Sequence, residues 1–364
     1  MKILKYGGVF AFICSNKFVN VKYGEKLRDF LLKYQIKIYN DFSGIKIFKE
    51  ATVDTCVIKI KKSSENNLII VNNQYTMDQS RLTKKDWSFT HPKVLNLKDK
   101  ILDKSYLIED LNIKIKYGMK TGYNKAYLIN NETYEYLISA DIKNKEIIKP
   151  ILKGTDINKF KINFKNRYII IVKHWQGKTL KIEYPEIYNY LIRFEDNLKK
   201  RGQVTNGQHH WLDLDNNVTE DYLNYFNLDK IIWQRVCKEP NFALDVEKHC
   251  ILDSMAFLVS EDNELLYFLI AILNSQITKW YLKLIGHKYG KTGFLVSNQY
   301  VKRLPIPKVN KKEQDKIISL SKKIINHFNN EDDLIGWNIE LNNIIYDIYG
   351  LNEEEKNIIE EKFL

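Results

Sequence analysis

Cysteine is scarce in this sequence, and its scarcity excludes two classes of small structural protein. The 364 residues include only four cysteines, at positions 14, 56, 237 and 250, and no two of them form a Cys-x-x-Cys pair. This spacing does not suit a disulfide-stapled secreted domain or a structural zinc site. We therefore expect a protein of the reducing cytoplasm without a disulfide framework.

The chain also lacks a long uninterrupted apolar run. The longest apolar stretch, residues 265–284, contains Asn274, Ser275, Gln276 and Lys279, which a membrane-spanning helix rarely accepts. The apolar start of the chain is interrupted by a Gly-Gly pair, unlike a signal peptide. We expect neither export nor a membrane partner.

Several catalytic signatures are missing as well. The sequence contains no His-Glu-x-x-His, Gly-x-Ser-x-Gly or Gly-x-Gly-x-x-Gly motif. GHKYGKT, at 286–292, has three residues between its glycines where a phosphate-binding loop has four, and it follows a predicted helix instead of a strand. His209, His210 and His249 have no companion ligands at metal-binding spacing, so no metal site is predicted.

Positive charge is abundant and unevenly distributed. Lys and Arg number 57 against 45 Asp and Glu, which gives a formal net charge of +12. Residues 311–364 contain 7 basic and 12 acidic residues, so residues 1–310 carry a net charge of +17. A basic body makes a polyanion such as nucleic acid a candidate partner.

The first sixty residues predict one part of an α/β layer. The apolar run at 7–15 predicts a buried strand, and the spacing of apolar residues at 23–34 predicts a helix that lies on a sheet. Segments 36–42 and 52–62 are rich in β-branched residues and predict two more strands. Three strands and one helix cannot cover both faces of a buried sheet. We therefore expect residues 1–62 to be the last part of a larger α/β domain.

Three further parts follow along the chain. We expect a connecting helical segment at 63–112, a mixed α+β body at 113–307, and two or three helices at 308–364. Within the body, residues 265–286 predict one long, mostly buried helix. The body ends at Leu-Pro-Ile-Pro, whose prolines stop regular structure.

Three groups of residues could carry a nucleic-acid contact, although each alone also suits a core aromatic or a solvated loop. Phe48 precedes a predicted strand, where its ring could stack on a planar ligand such as an extruded base. Basic and aromatic residues alternate in KYGMKTGYNKAYLI, 116–129, and again in GHKYGKTGF and QYVKRLPIP. The side chains predicted to contact DNA in these loops are Lys116, Lys120, Thr121, Tyr123, Asn124, Lys125, Lys288, Lys291, Lys302 and Arg303.

The order of several sequence blocks resembles a known family. GGVFAFICSNKF and the residues after it, through 62, resemble the segment that follows the Asn-Pro-Pro-Tyr motif in type IIG adenine-specific DNA methyltransferases. The rest resembles the TaqI-like C-terminal specificity domain. Its six blocks occur in the family's order: GMKTGYNKAYLI, IIKPILKGTDINKF, PEIYNYLIRFEDNLKKR, KIIWQRV, YFLIAILNSQITKWYL and VKRLPIP.

This resemblance implies the activity of a restriction–modification enzyme. Such an enzyme flips an adenine out of double-stranded DNA and methylates it with S-adenosylmethionine, and an aromatic at the place of Phe48 stacks on the flipped base. The implied fold is the C-terminal part of a Rossmann-like methyltransferase sheet at 1–62, followed by an α+β target-recognition domain at 113–307 and the C-terminal helices.

The departure from the family limits what this chain is expected to do alone. Neither the methyl-donor motif nor Asn-Pro-Pro-Tyr occurs in the sequence. We therefore expect that the chain alone does not methylate or bind S-adenosylmethionine, and that an upstream methyltransferase polypeptide supplies the catalytic half. A non-catalytic DNA specificity subunit and the inactive remnant of a truncated gene are the alternatives.

Overall fold

The structure, a computed structural model, describes residues 1–19, 21–45, 47–48, 53–65, 68–85, 87–286, 288–289, 293–327 and 331–361. It is a mixed α/β chain with several sheets. The chain divides into two compact units, Met1–Asp99 and Lys100–Leu364. None of the helices in these ranges is long and apolar enough to cross a membrane.

The first unit is built around a five-stranded sheet of order β1-β3-β2-β4-β5. Neighbouring strands are antiparallel except β2 and β4, which are parallel. Its elements are β1 (Val9–Ser15), α1 (Glu25–Leu31), β2 (Gln35–Asp41), β3 (Thr55–Lys61), β4 (Leu68–Val71) and β5 (Tyr75–Asp78), and α2 (Pro92–Asp103) begins near its end. The helix and three strands predicted within residues 7–62 are present, and β4 and β5 extend the sheet beyond residue 62.

The apolar run at 7–15 forms a strand, but the prediction that this strand is buried is wrong. Val9 is 48% exposed, Phe12 54% and Ile13 41%. Among the described strands β1 pairs with β3 alone, so it is an edge strand. An apolar run predicts burial only if other elements cover it, and in the described structure five of the seven residues of β1 remain exposed.

The second unit contains several small sheets. Two have four strands, in the orders β16-β9-β12-β8 and β15-β13-β17-β7, one has the order β14-β19-β18, and two are pairs, β10-β11 and β20-β6. The strands are β6 (Ser105–Leu107), β7 (Lys114–Tyr117), β8 (Leu128–Asn130), β9 (Ile148–Leu152), β10 (Ile157–Asn158), β11 (Lys161–Ile162), β12 (Arg167–Ile170), β13 (Lys230–Gln234), β14 (Val236–Cys237), β15 (Phe242–Asp245), β16 (Cys250–Ile251), β17 (Met255–Val259), β18 (Lys288–Tyr289), β19 (Gly293–Leu295) and β20 (Pro305–Pro307). A large apolar core joins the two four-stranded sheets.

The helices of the second unit lie between and after these strands. They are α3 (Asn124–Tyr127), α4 (Asn131–Ala140), α5 (Leu180–Glu183), α6 (Pro185–Leu191), α7 (Glu195–Lys199), α8 (Gly202–Thr205), α9 (Glu220–Asn224), α10 (Asn263–Leu273), α11 (Gln276–Ile285), α12 (Asn298–Val301), α13 (Lys311–Asn326), α14 (Glu331–Tyr349) and α15 (Glu353–Ile359). The last three occupy the acidic end of the described chain.

The single helix predicted at 265–286 is wrong, because α10 and α11 are separate helices. The Ser275 side chain accepts a hydrogen bond from the Thr278 N–H and so caps the start of α11. The buried Asn274 amide donates to the carbonyl of Phe242 at 2.9 Å, which holds the junction against β15. Both halves are largely buried as predicted.

Candidate nucleic-acid interface

The first predicted basic loop begins in β7 and leads into α3. We call residues 116–125 the lysine loop. Its course is fixed by the main chain, because the Met119 N–H donates to the carbonyl of Ile251 at 2.8 Å. The Lys116 Nζ lies 4.9 Å from the ring centroid of Tyr225, within the range of a cation–π contact. The loop is therefore an ordered part of the second unit.

Gly122 shapes the turn of the lysine loop. Its φ of +71° lies in the left-handed region, a backbone conformation that residues with a Cβ rarely adopt. A Cβ at this position would also lie 2.8 Å from the Arg201 Cδ and 2.9 Å from the Asp215 Cβ. Glycine is required here both for conformation and for space.

Replacing Gly122 by Ala is expected to lower the free energy of unfolding by about 1–3 kcal/mol, because strain and a close contact are added together. Urea unfolding measures the change. Gly202→Ala is the matched control, since Gly202 begins α8 and a Cβ added there would have no heavy atom within 4 Å. Equal destabilisation by the two substitutions would contradict the role of Gly122.

A buried arginine connects the lysine loop to a distant segment, which we define as the brace, residues 209–216. Arg201 donates from Nη1 to the carbonyl of Thr121 at 2.8 Å. From Nη2 it donates to the carbonyls of Trp211, at 2.7 Å, and Asp213, at 2.8 Å. One guanidinium thus holds the lysine loop and the brace together, and its charge is surrounded by carbonyl dipoles.

The charge of Lys120 is partly neutralised within the protein. Its Nζ lies 2.7 Å from the Asp215 Oδ2, and this hydrogen-bonded carboxylate raises the pKa of Lys120. The side chain of Lys120 is 52% exposed, whereas that of Asp215 is 8% exposed. A phosphate that contacts Lys120 would therefore compete with a carboxylate held in the protein.

The other predicted residues of the lysine loop differ in exposure. Asn124 and Lys125 are exposed, whereas Tyr123 is half-buried and lies 6.2 Å from the ring of Phe194. Thr121 is 3% exposed, and its hydroxyl donates to the Asn124 Oδ1 at 2.6 Å. This burial argues against the predicted direct DNA contact by Thr121, whose side chain instead fixes the position of Asn124.

The second predicted basic loop is described only in part. Lys302 and Arg303 are exposed directly after α12. Lys288 begins β18, where the backbone alone is described, and Lys291 lies outside the described residues. The structure therefore places two of these four side chains on the surface of the second unit.

Phe48 belongs to the first unit and lies in the loop between β2 and β3. Its side chain is 46% exposed, so the ring is accessible from solvent. The neighbouring positions 46 and 49–52 lie outside the described residues. The exposed ring has the accessibility that stacking on a planar ligand requires.

An apolar groove lies on the first unit between β1 and α1. It has a volume of roughly 460 Å³, and its exposed walls include Phe10, Phe12, Tyr23, Leu27 and Phe30. The rings of Phe10 and Phe12 are stacked with centroids 5.7 Å apart. Contiguous exposed apolar surface of this kind is a feature of interaction sites.

Three side chains that could bind a metal ion lie close together in the structure, although one of them is far from the other two in the sequence. The ligand atoms of His174, His209 and Asp213 lie within 4.8 Å of one another, and the two histidine Nδ1 atoms are 3.3 Å apart. However, both Asp213 oxygens accept hydrogen bonds, three in all, from main-chain N–H groups. Burial and the neighbouring His174 lower the pKa of His209. The Asp213 carboxylate is therefore already satisfied by the main chain, which favours a structural role for this cluster over metal binding.

The sequence interpretation missed Arg201, Asp213 and Asp215, although one weak signal was available. In Trp-Leu-Asp-Leu-Asp the apolar and acidic residues alternate, and Leu212 and Leu214 are 1% and 0% exposed. The two acids are also buried, which alternation alone does not predict. Their partners are set by tertiary contacts with loops far away in sequence.

Comparison with known proteins defines the class. The chain shares its fold with the type IIL restriction-modification enzyme MmeI, solved in complex with DNA, at a TM-score of 0.60 and 12% identity. That similarity covers 96% of this chain and 48% of the other, so the chain spans about half the length of MmeI. This similarity shows that the two proteins share a fold over the part of MmeI that the chain covers.

Sequence comparison makes the assignment more specific. Residues 149–306 match the TaqI-like C-terminal specificity domain. The chain is 23% identical over 252 residues to Type II methyltransferase M.MjaIV of Methanocaldococcus jannaschii, covering 68% of this chain and 82% of the relative. It is 21% identical over 412 residues to Type II methyltransferase M.BstVI of Geobacillus stearothermophilus, covering 99% and 67%. The resemblance to a TaqI-like specificity domain is confirmed for residues 149–306.

Proposed function

We propose that this chain recognises a specific sequence in double-stranded DNA, as the target-recognition part of an adenine-specific, S-adenosylmethionine-dependent DNA methyltransferase of a cytoplasmic restriction–modification system. The match of residues 149–306 to a specificity domain carries this proposal. The net charge of +17 on residues 1–310 supports it, because phosphate contacts dominate the affinity of most DNA-binding proteins.

The exposed polar residues of the two basic loops are the proposed DNA contacts. Lys116, Lys125, Lys302 and Arg303 would bind phosphates and fix the orientation of the duplex. Lys120, Lys288 and Lys291 would add phosphate contacts, Lys120 by exchanging Asp215 for a phosphate oxygen. Asn124 and Tyr123 would face base edges, and the amide of Asn124 can both donate to and accept from a base.

The first unit would belong to the catalytic domain. We propose that residues 1–62 form the C-terminal part of a Rossmann-like methyltransferase sheet. Residues 63–112 would be a connection that begins with β4 and β5 of the same sheet, 113–307 the recognition domain and 308–364 the terminal helices. The remaining layer of the sheet, on an upstream methyltransferase polypeptide, would cover β1 and the apolar groove. About a third of M.BstVI lies outside its match to this chain.

The lining of the groove supports the proposal that S-adenosylmethionine is held outside this chain. This lining contains no carboxylate, whereas the ligand's ribose hydroxyls and positively charged methionine group require acceptors or negative charge. The methyl donor would therefore be held by the catalytic polypeptide. Phe48 would stack on the adenine after it leaves the duplex. This aromatic contact would offset the free energy lost when the adenine is unstacked from its neighbours.

Binding to duplex DNA at several salt concentrations tests the recognition role. If about six phosphates are contacted, affinity should fall about 10³-fold between 50 and 200 mM salt. Lys125→Glu should weaken binding at least tenfold, because it replaces an attractive phosphate contact by a repulsive one. Lys312→Glu on α13 is the matched control and should bind like wild type. Affinity independent of salt, or equal behaviour of the two variants, would contradict the proposal.

Methylation assays with the upstream polypeptide separate the alternatives. The mixture should methylate adenine in duplex DNA, whereas this chain alone should not. Specific DNA binding without methylation in any mixture would favour a non-catalytic specificity subunit. A folded chain that binds no DNA would favour an inactive remnant.

A further inference from the structure

Trp175 combines two unfavourable features in one residue. Its φ of +64° lies in the left-handed region, where a bulky residue is a genuine outlier. Its side chain is 42% exposed, although tryptophan is usually well buried. Strained residues of this kind persist when the surrounding structure enforces them, and they cluster at functional sites.

A buried carboxylate enforces the conformation of Trp175. The fully buried Asp213 accepts the Trp175 N–H at 2.7 Å through Oδ2 and the Gly177 N–H at 2.9 Å through Oδ1. The backbone at Gly177 is packed tightly against the brace, since a Cβ at this position would lie 2.3 Å from the His210 Nδ1. The fold therefore uses a buried charge to present an indole at the surface.

The surroundings of the indole are suited to an anionic partner. The Lys178 Nζ lies 4.3 Å from the ring of Trp175, which keeps a cation beside the aromatic surface. The imidazole of His174 lies 5.1 Å from the same indole. An aromatic ring beside a lysine combines an apolar contact with attraction for a phosphate, a pairing that nucleic-acid-binding proteins use.

The brace places this loop next to the lysine loop. The Leu214 N–H donates to the carbonyl of Val172 at 3.1 Å, just before the Trp175 turn. The Asp215 N–H donates to the carbonyl of Lys120 at 2.9 Å. Because adjacent residues of the brace bond to both loops, Trp175 and the lysine loop belong to one surface region of the second unit.

We propose that Trp175 is a DNA-contacting residue whose indole packs against a deoxyribose of the duplex backbone while Lys178 binds the adjacent phosphate. This inference rests on the proposed DNA recognition and adds a contact outside the two basic loops. Trp175 lies within the region that matches the specificity domain. Asp213 is then a positioning residue, which acts through the backbone of Trp175.

Trp175→Gly separates the contact from the fold. Glycine accepts the left-handed conformation without strain, which offsets the lost packing of the indole, so the thermal midpoint should change little. Affinity for duplex DNA should nevertheless fall about tenfold, since an aromatic contact is lost. The slope of affinity against salt should not change, because no charge is removed, whereas Lys178→Gln should reduce that slope by about one.

Two controls keep the result interpretable. Tyr136→Ala removes an aromatic side chain that is 64% exposed on α4 and should leave binding unchanged. Trp175→Asn, whose side chain also tolerates positive φ, should reproduce the loss of affinity. Wild-type affinity in Trp175→Gly would overturn this inference alone, as would a lowered thermal midpoint that accounts for weaker binding. A wild-type protein that binds no duplex DNA would overturn the proposed function and this inference with it.

Discussion

Replacing Asp245 by Ala is expected to lower the free energy of unfolding by about 3–5 kcal/mol, because it leaves a buried lysine without a counter-charge. The Asp245 Oδ2 lies 2.8 Å from the Lys230 Nζ, and both side chains are 0% exposed. The two residues are directly paired across β15 and β13. Urea denaturation measures the change. An unchanged dependence of the unfolding free energy on urea concentration would show that both proteins unfold in the same two-state manner.

The same carboxylate also accepts from a histidine, which gives the prediction a pH dependence. Burial raises the pKa of Asp245, but the hydrogen bonds from His249 and Lys230 outweigh it, so the pKa lies below its ordinary value. A lowered pKa in the folded state means that Asp245 stabilises the protein above about pH 4. This contribution is lost as the pH falls through the depressed pKa, and Asp245→Ala should lack that part of the acid sensitivity.

Asp315→Ala is the control for Asp245→Ala. Asp315 pairs with Lys311 at 2.8 Å on α13, but their side chains are 56% and 75% exposed. Solvent screens such a pair, and its loss should change the free energy of unfolding by no more than about 0.5 kcal/mol. A similar effect of the two substitutions would show that Lys230 does not depend on Asp245 for its charge.

If the proposed catalytic polypeptide covers β1, replacing Phe12 by Glu is expected to abolish assembly with it and to reduce methylation by the mixture by about 100-fold or more. The Phe12 side chain is 54% exposed, lies in an edge strand and stacks on Phe10. A carboxylate there cannot be buried against an apolar layer without a large desolvation cost. Co-purification and a methylation assay measure the two effects.

The isolated chain provides an independent readout of the same surface. Wild-type protein alone should self-associate, since an unpaired apolar edge and an apolar groove are exposed together. Phe12→Glu should shift the chain toward monomer in light scattering, whereas Tyr136→Glu on α4 should not. A wild-type chain that is monodisperse at high concentration would contradict the interpretation of this surface.

The sequence predicts local features well where the signal itself is local. The strands at 36–42 and 52–62 follow from β-branched composition, and β2 and β3 occupy these segments. The capping chemistry of Asn274 and Ser275 is also present in the sequence, but the length of the apolar stretch dominates the pattern and predicts a single helix. Five of the six ordered blocks lie wholly or mostly within the matched residues 149–306, and their order can be recognised without knowing the tertiary contacts.

By itself the sequence therefore determined the basic charge of the body, the family of its recognition domain and the positions of β1, β2 and β3. Only the tertiary structure decided that the run at 7–15 is exposed, because burial depends on what covers a strand. It also decided that Arg201 reaches Thr121, 80 residues away, and that Asp213 holds Trp175 in a strained, exposed conformation. Such pairings arise from chain folding over long separations, and no local pattern of residue types encodes them.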